Sequence, residues 1–149
     1  MKYHIPSPIN EHKVLIKGVS LESSQNNCGG RVIKPDYISK VKQITKKNKL
    51  KLHLDGARSW NSALHLGLTM KEYVKDFDLV NVCMSKGMGC PALSLIVGSE
   101  DDIKKAKNFR KMLGGGMRQT GVLSAACLVS LMDWQEKLQV DNENARFLA

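Results

Sequence analysis

Residues 50–68 read LKLHLDGARSWNSALHLGL. Leu50, Leu52 and Leu54 alternate with polar residues, the period of a strand with one buried face. The alternation stops at Asp55. From there Ala57, Trp60, Leu64 and Leu68 recur at helical spacing, with Gly67 near the stop. A strand that ends in aspartate and turns straight into a helix is half of a βα unit. If the pattern recurs along the chain, it decides the fold class.

It recurs. Upstream, VLIKGVSL (14–21) predicts a strand with Gly18 as a candidate bulge, followed by the polar, glycine-ended loop ESSQNNCGGR (22–31). Pro35 sits well at the first turn of a helix running to about Asn48. Downstream, MKEYVKDF (70–77) predicts a further helical turn or two, and LVNVCM (79–84) and ALSLIVG (92–98) predict apolar strands. Ser99 to Asp102 has capping-box-like spacing before DIKKAKNFRKML (102–113), where Ile103, Ala106 and Phe109 recur at helical interval. After the glycine-rich loop GGGMRQTG (114–121), VLSAACLVSLMDWQEKL (122–138) predicts one long apolar helix, and DNENARFLA (141–149) the early part of another. Strands alternating with helices point to an α/β layer structure.

The 149 residues are one domain's worth of chain. They divide into an irregular stretch at 1–13, a partial ligand-binding domain at 14–138 and the start of a further segment at 139–149. No apolar run approaches the roughly 20 residues a membrane span needs. MKYHIPSPINEHK (1–13) lacks the apolar region of a secretory signal, so the expected address is cytoplasmic, without a membrane partner. Cys28, Cys83, Cys90 and Cys127 form no CxxC pair and no zinc-like spacing, so free thiols and no metal site are expected.

The net charge of +9 raises a nucleic-acid reading, with the excess concentrated in SKVKQITKKNKLK (39–51). There Ile38, Val41 and Ile44 fall at helical spacing and turn most lysines to the opposite side. That describes a solvated helix face, and arginines or aromatics for stacking are lacking apart from Tyr37. No nucleic-acid partner is expected.

Three charged groups stand where ligands bind in open α/β sheets, outside the carboxyl ends of strands. Asp55 ends one strand, and Arg58, three residues on, can face the same way. An aspartate at such a junction also serves as a helix cap, so the residue alone leaves both roles open. Lys86 lies just past the end of the next strand in SKGMGCP (85–91), where Gly87 and Gly89 permit close backbone approach. Arg118 lies in GGGMRQ immediately before a helix, a setting that suits phosphate. An amine, a carboxylate and an anion-binding loop are the parts that hold pyridoxal phosphate. His53 should share a strand face with Asp55, His65 a helix surface, His4 and His12 the irregular start, and the two tryptophans packing positions.

HLDGAR (53–58), SKGMGCP (85–91) and RKMLGGGMRQTGVLSAA (110–126), with CGGRV (28–32), resemble the L-threonine aldolases. These are fold-type-I pyridoxal-phosphate enzymes of the β-eliminating lyase and threonine aldolase group. The resemblance runs from about Leu21 onward and implies a fragment of the aspartate-aminotransferase-like major domain, truncated at both ends. It implies cleavage of L-threonine or L-allo-threonine to glycine and acetaldehyde, hence glycine biosynthesis and threonine catabolism, and a homo-oligomer if the family's interface survives.

The resemblance also implies roles. Lys86 matches the Schiff-base lysine, and Asp55 the carboxylate that pairs with the pyridine nitrogen. Arg58 matches an arginine beside the cofactor hydroxyl and the substrate carboxylate, and Arg118 a loop arginine reaching the phosphate region. Two departures stand out. Gln25 occupies the place of the family's imidazole near the β-hydroxyl, and an amide is no general base near neutral pH. The family's N-terminal portion and C-terminal small domain are not represented. The competing reading is a catalytically inactive homologue that acts, if at all, as a partner of a full-length subunit.

Overall fold

The computed structural model describes residues 14–149, so the expected irregular stretch at 1–13, with His4 and His12, lies outside the described residues. The elements are β1 (Gly18–Glu22), α1 (Pro35–Lys47), β2 (Lys51–Gly56), α2 (Ser59–His65), α3 (Met70–Val74), β3 (Leu79–Cys83), β4 (Ser94–Gly98), α4 (Glu100–Met112), α5 (Gly121–Ser130) and α6 (Trp134–Leu148). A 3-10 turn at Asn26–Cys28 precedes α1. The strands form one sheet in the order β1-β2-β3-β4. The first three are parallel and β4 runs antiparallel to β3. This is the α/β architecture expected.

The alternation in β2 does what its period implies. Leu52 and Leu54 are fully buried and pack with Val80 and Val82 of β3, Ile38 and Val41 of α1, Ala63 of α2 and Tyr73 of α3. Each such leucine stabilises the fold by roughly 1.5–3 kcal/mol relative to exposure. The alternate residues Lys51, His53 and Asp55 therefore occupy the other face of the sheet. On that face Ser20 Oγ and His53 Nδ1 are hydrogen-bonded at 2.8 Å, so His53 shares the Asp55 side as expected.

α1 starts with Pro35 at its first position, and Lys46 and Lys47 in its last turn complement the negative end of the helix dipole. Its lysines point outward, except that half-buried Lys42 donates to Asp78 at 2.7 Å. The Tyr73 hydroxyl donates to Ser23 Oγ at 2.6 Å, and Ser23 Oγ also accepts from the Ile33 amide at 3.1 Å. These bonds fasten the loop after β1 to α3. Burial pushes the Tyr73 phenol above its ordinary value, against the lowering effect of Ser23 and Ser62.

Three expectations are corrected. Gly18 makes no bulge: it pairs in regular register with Lys51, and a Cβ there would lie 3.0 Å from the Lys51 carbonyl oxygen. The buried residues of α2 are Ser59, Ser62 and Ala63, while Trp60 and Leu64 are half-buried. Small side chains let the helix approach the sheet, and Ser59 Oγ satisfies the Gly56 carbonyl at 2.9 Å. The helix expected over 122–138 is two helices separated by a turn at 131–133, and DNENARFLA is the second half of α6 rather than the start of a new element. The helix expected from Ile103, Ala106 and Phe109 forms as α4; Ile103 and Ala106 are half-buried and Phe109 is exposed.

α6 folds back onto the molecule. Fully buried Leu138 joins Met84, Met88, Cys90 and Cys127 in a second cluster, bordered by Trp60, Leu64, Leu93 and Trp134. Trp60 and Trp134 meet edge to face, with centroids 5.0 Å apart. Both tryptophans are packing residues, as expected.

Candidate functional site

The registers β1–β2 and β2–β3 place Glu22, Asp55 and Asn81 in one row across the carboxyl ends of the three parallel strands. Asp55 is held in that row. Its Oδ1 accepts from Asn81 Nδ2 at 3.1 Å and from the Ala57 amide at 3.2 Å. Both bonds fall on one oxygen, which leaves Oδ2 available on the half-exposed face. Asp55 does not cap α2, whose N-cap is Arg58; its bond to the amide two residues on closes the turn between strand and helix. The tight turn beneath it requires Gly56: a Cβ there would lie 2.6 Å from the Asn81 carbonyl oxygen and 2.7 Å from Ser59 Oγ.

Lys86 projects from the turn after β3 and is exposed. The turn is closed by the Gly89 amide donating to the Lys86 carbonyl at 2.8 Å, with Gly89 in the left-handed region at φ 70°. Buried Met84, Met88 and Cys90 anchor both feet of this turn in the second cluster. Gly87 has a packing reason as well as the expected one of ligand approach. A Cβ there would meet Leu138 Cδ2 at 2.8 Å and Asn61 Oδ1 at 2.9 Å, so glycine lets α6 and α2 close against the lysine turn.

Cys83, at the end of β3, records the local field. Burial pushes its thiol up, but hydrogen bonding with Ser85, the Lys86 ammonium and Ser94 outweigh it and leave the thiol below its ordinary value.

Arg58 is the half-exposed residue immediately before α2, and its carbonyl accepts from the Ser62 amide at 3.2 Å. Arg118 is exposed in the loop between α4 and α5. The structure thus brings Asp55, Arg58 and Lys86 to one edge of the sheet. Among the described residues no hydrogen bond or ion pair joins Arg118 to them. Gln25 is engaged locally, where its side-chain oxygen accepts from the Cys28 amide at 2.7 Å and caps the 3-10 turn.

Sequence reasoning missed Asn81. Its signal was weak, a polar residue inside LVNVCM, and its meaning depends on a register that no single strand reveals. Among the described residues no group of His, Cys, Asp and Glu could hold a metal ion. No helix of the described residues is long and apolar enough to cross a membrane.

The chemistry of these donors suits pyridoxal phosphate: an exposed amine on a pinned turn, and a carboxylate with one oxygen fixed and one free. The family model described as "Beta-eliminating lyase" matches residues 4–149. The chain belongs to this family. It is 50% identical over 131 residues to the "Low-specificity L-threonine aldolase 1" of Arabidopsis thaliana, covering 88% of the chain and 37% of that relative. Against the "Low specificity L-threonine aldolase" of Escherichia coli (strain K12) it is 40% identical over 142 residues, covering 95% of the chain and 42% of the relative.

A crystal structure from Listeria monocytogenes EGD-E, assigned as an L-allo-threonine aldolase, superposes with a TM-score of 0.76 at 25% identity. The match covers 81% of this chain and 34% of that one. An Exiguobacterium structure with a TM-score of 0.69 and 22% identity, covering 82% of this chain and 33% of its own, shares the fold. The chain spans about two fifths of the length of the curated relatives it matches.

Proposed function

We propose that this chain carries part of a pyridoxal-phosphate-dependent aldolase site that cleaves L-threonine or L-allo-threonine to glycine and acetaldehyde. The observation that carries the reading is the Asp55 carboxylate, fixed by Asn81 and the Ala57 amide at a strand end, with the Lys86 amine just past the end of the adjacent strand. The names of the relatives support the substrate class.

Pyridoxal phosphate, when bound, supplies an electron sink for the pair left on Cα as the Cα–Cβ bond breaks. Lys86 would supply the amine that anchors it covalently. Asp55 would hold its pyridine nitrogen in the protonated form. Arg58 would serve the cofactor hydroxyl and the substrate carboxylate, and Arg118 the phosphate region, of this or a neighbouring subunit's site. Gln25 does not take the β-hydroxyl proton, because an amide is not basic near neutral pH and its oxygen already holds the Cys28 amide. That proton passes to water or to another group. The family's oligomeric assembly and a cytoplasmic setting accompany this reading.

The test is to mix the purified chain with pyridoxal phosphate, reduce with borohydride and map adducts by peptide mass spectrometry. A single adduct at Lys86, lost in Lys86→Ala, is expected. Adducts scattered over the surface lysines, or none, would favour the inactive homologue, a reading that the capping role of Gln25 makes specific.

A further inference from the structure

We propose that the cleft between α2, α6 and the segment 24–34 binds a small organic phosphate of nucleoside-phosphate size, at a place separate from Asp55 and Lys86. The cleft has a volume of about 480 Å3. Neither Asp55, Arg58, Lys86 nor Arg118 lines it.

Its walls are built by identifiable bonds. Asn61 Nδ2 donates to Asp141 Oδ2 at 2.8 Å and to Asn142 Oδ1 at 3.1 Å, while Asn142 Nδ2 donates back to the Asn61 carbonyl at 3.2 Å. These bonds seat α6 on α2. Arg146, four residues beyond Asn142 and so on the same helix side, lines the cleft as well. The opposite wall comes from the turn at Gly29 and Gly30, both in the left-handed region at φ 71° and 65°, which presents Arg31. Lys34 adds a third cation just before α1.

Three cations from two remote segments therefore meet in one cleft, and no carboxylate is among the lining residues. Among the described residues the ion pairs are Lys42–Asp78, Lys51–Asp102 and Lys137–Asp133, so none engages Arg31, Lys34 or Arg146. The acids next to the lining do not change this. Asp141 already holds Asn61, Glu143 accepts from Gln139 Nε2 at 2.6 Å, and Asp36 sits in the first turn of α1.

Uncompensated like charges brought together favour an anion between them. Guanidinium forks match phosphate oxygens in a way a lone lysine does not. Val32 and Leu66 give the same cleft an apolar wall. The volume exceeds what an inorganic phosphate fills and falls in the range of small-molecule sites. Phosphate on the arginines and a ring against the apolar wall together account for the lining.

The experiment is calorimetric titration of the purified chain with ADP and, separately, with inorganic pyrophosphate, at low and high salt. One-to-one ADP binding that weakens with salt is expected. The Arg31→Ala/Arg146→Ala double variant should bind ADP at least about tenfold more weakly, since each lost pairing is a charge-assisted hydrogen bond. Both arginines are exposed, so an unchanged far-UV circular dichroism spectrum will show that the fold survives. Lys86→Ala should bind ADP as the unaltered chain does. Absence of ADP binding, undiminished binding by the double variant, or loss of binding in Lys86→Ala would each overturn the proposal. Pyrophosphate binding about tenfold weaker than ADP supports a nucleoside-sized occupant, and equal affinities would refute that size assignment.

Discussion

Strands β2 and β4 belong to one sheet and are both rich in leucine, isoleucine or valine, yet they live in different surroundings. In β2, Leu52 and Leu54 are 0% exposed, whereas in β4 Leu95, Ile96 and Val97 are 42%, 51% and 56% exposed. β2 has parallel neighbours on both sides and helices α1 to α3 over its apolar face. β4 is an edge strand, and the helix next to it has no fully buried residue. SLIVG is a continuous apolar run of the kind carried by strands covered on both faces. The charged and polar groups of the candidate site follow the same division, with Asp55 and Asn81 on the well-packed parallel side. The Asp55 carboxylate thus stands on strands whose opposite face is buried, the kind of rigid support a precisely placed group needs.

The largest effect expected separates these two regions directly. Leu54→Ala should destabilise the chain by about 2–5 kcal/mol, because a fully buried leucine leaves a cavity. Val97→Ala should change stability by no more than about 0.5 kcal/mol, as exposed positions do. Urea unfolding followed by circular dichroism measures both. A Val97→Ala cost comparable to that of Leu54→Ala would mean that β4 is covered in solution, for instance by a second copy of the chain.

The same contrast explains what was legible in the sequence. β2 reads correctly because its alternation and its burial agree residue by residue. α1 reads correctly because Ile38 and Val41 are buried and its lysines stay outside. In α4 the spacing marks the helix but not its surroundings, and Phe109 is exposed. α5 and α6 merge in the sequence because LVSLMDW stays apolar through the turn, with no glycine or proline to mark it. At the site, Asp55, Arg58 and Lys86 are legible from strand ends and turns. Asn81 is not, because its partnership with Asp55 is a fact of register between residues 26 apart in the chain.

That partnership supplies the next prediction. With Asn81→Ala the Asp55 carboxylate loses one of the two bonds fixing its Oδ1, worth about 1 kcal/mol. Affinity for pyridoxal phosphate, read from the visible absorbance of the bound cofactor, should fall about fivefold. Asn108→Ala, on exposed α4, should leave it unchanged. If the cofactor binds at Lys86 and both variants bind it alike, Asn81 does not position Asp55 for this purpose.

The smallest effect concerns two aspartates, one on each side of the division. Asp78 is half-buried, accepts from Lys42 at 2.7 Å and from the Leu52 amide at 2.8 Å, and so ties α1 and β2 to the start of β3. Burial pushes its carboxyl up, but Lys42 and the Leu52 amide outweigh this and hold it below the ordinary value. Asp102, half-buried like Asp78, is lowered by Ser99 and then by Lys51. A carboxyl lowered in the folded state lends stability that is present above its unfolded value and lost as pH falls through its folded value. Below about pH 4, then, part of the unaltered chain's stability should drain away through both groups. The Asp78 share, less than about 1 kcal/mol after solvent screening, should be absent from the pH profile of Asp78→Asn and should largely persist in high salt. The Asp102 share should shrink in high salt, because its partner Lys51 is exposed. An acid profile unchanged by Asp78→Asn would place the pH-sensitive link on the β4–α4 side and reverse the order of the two regions.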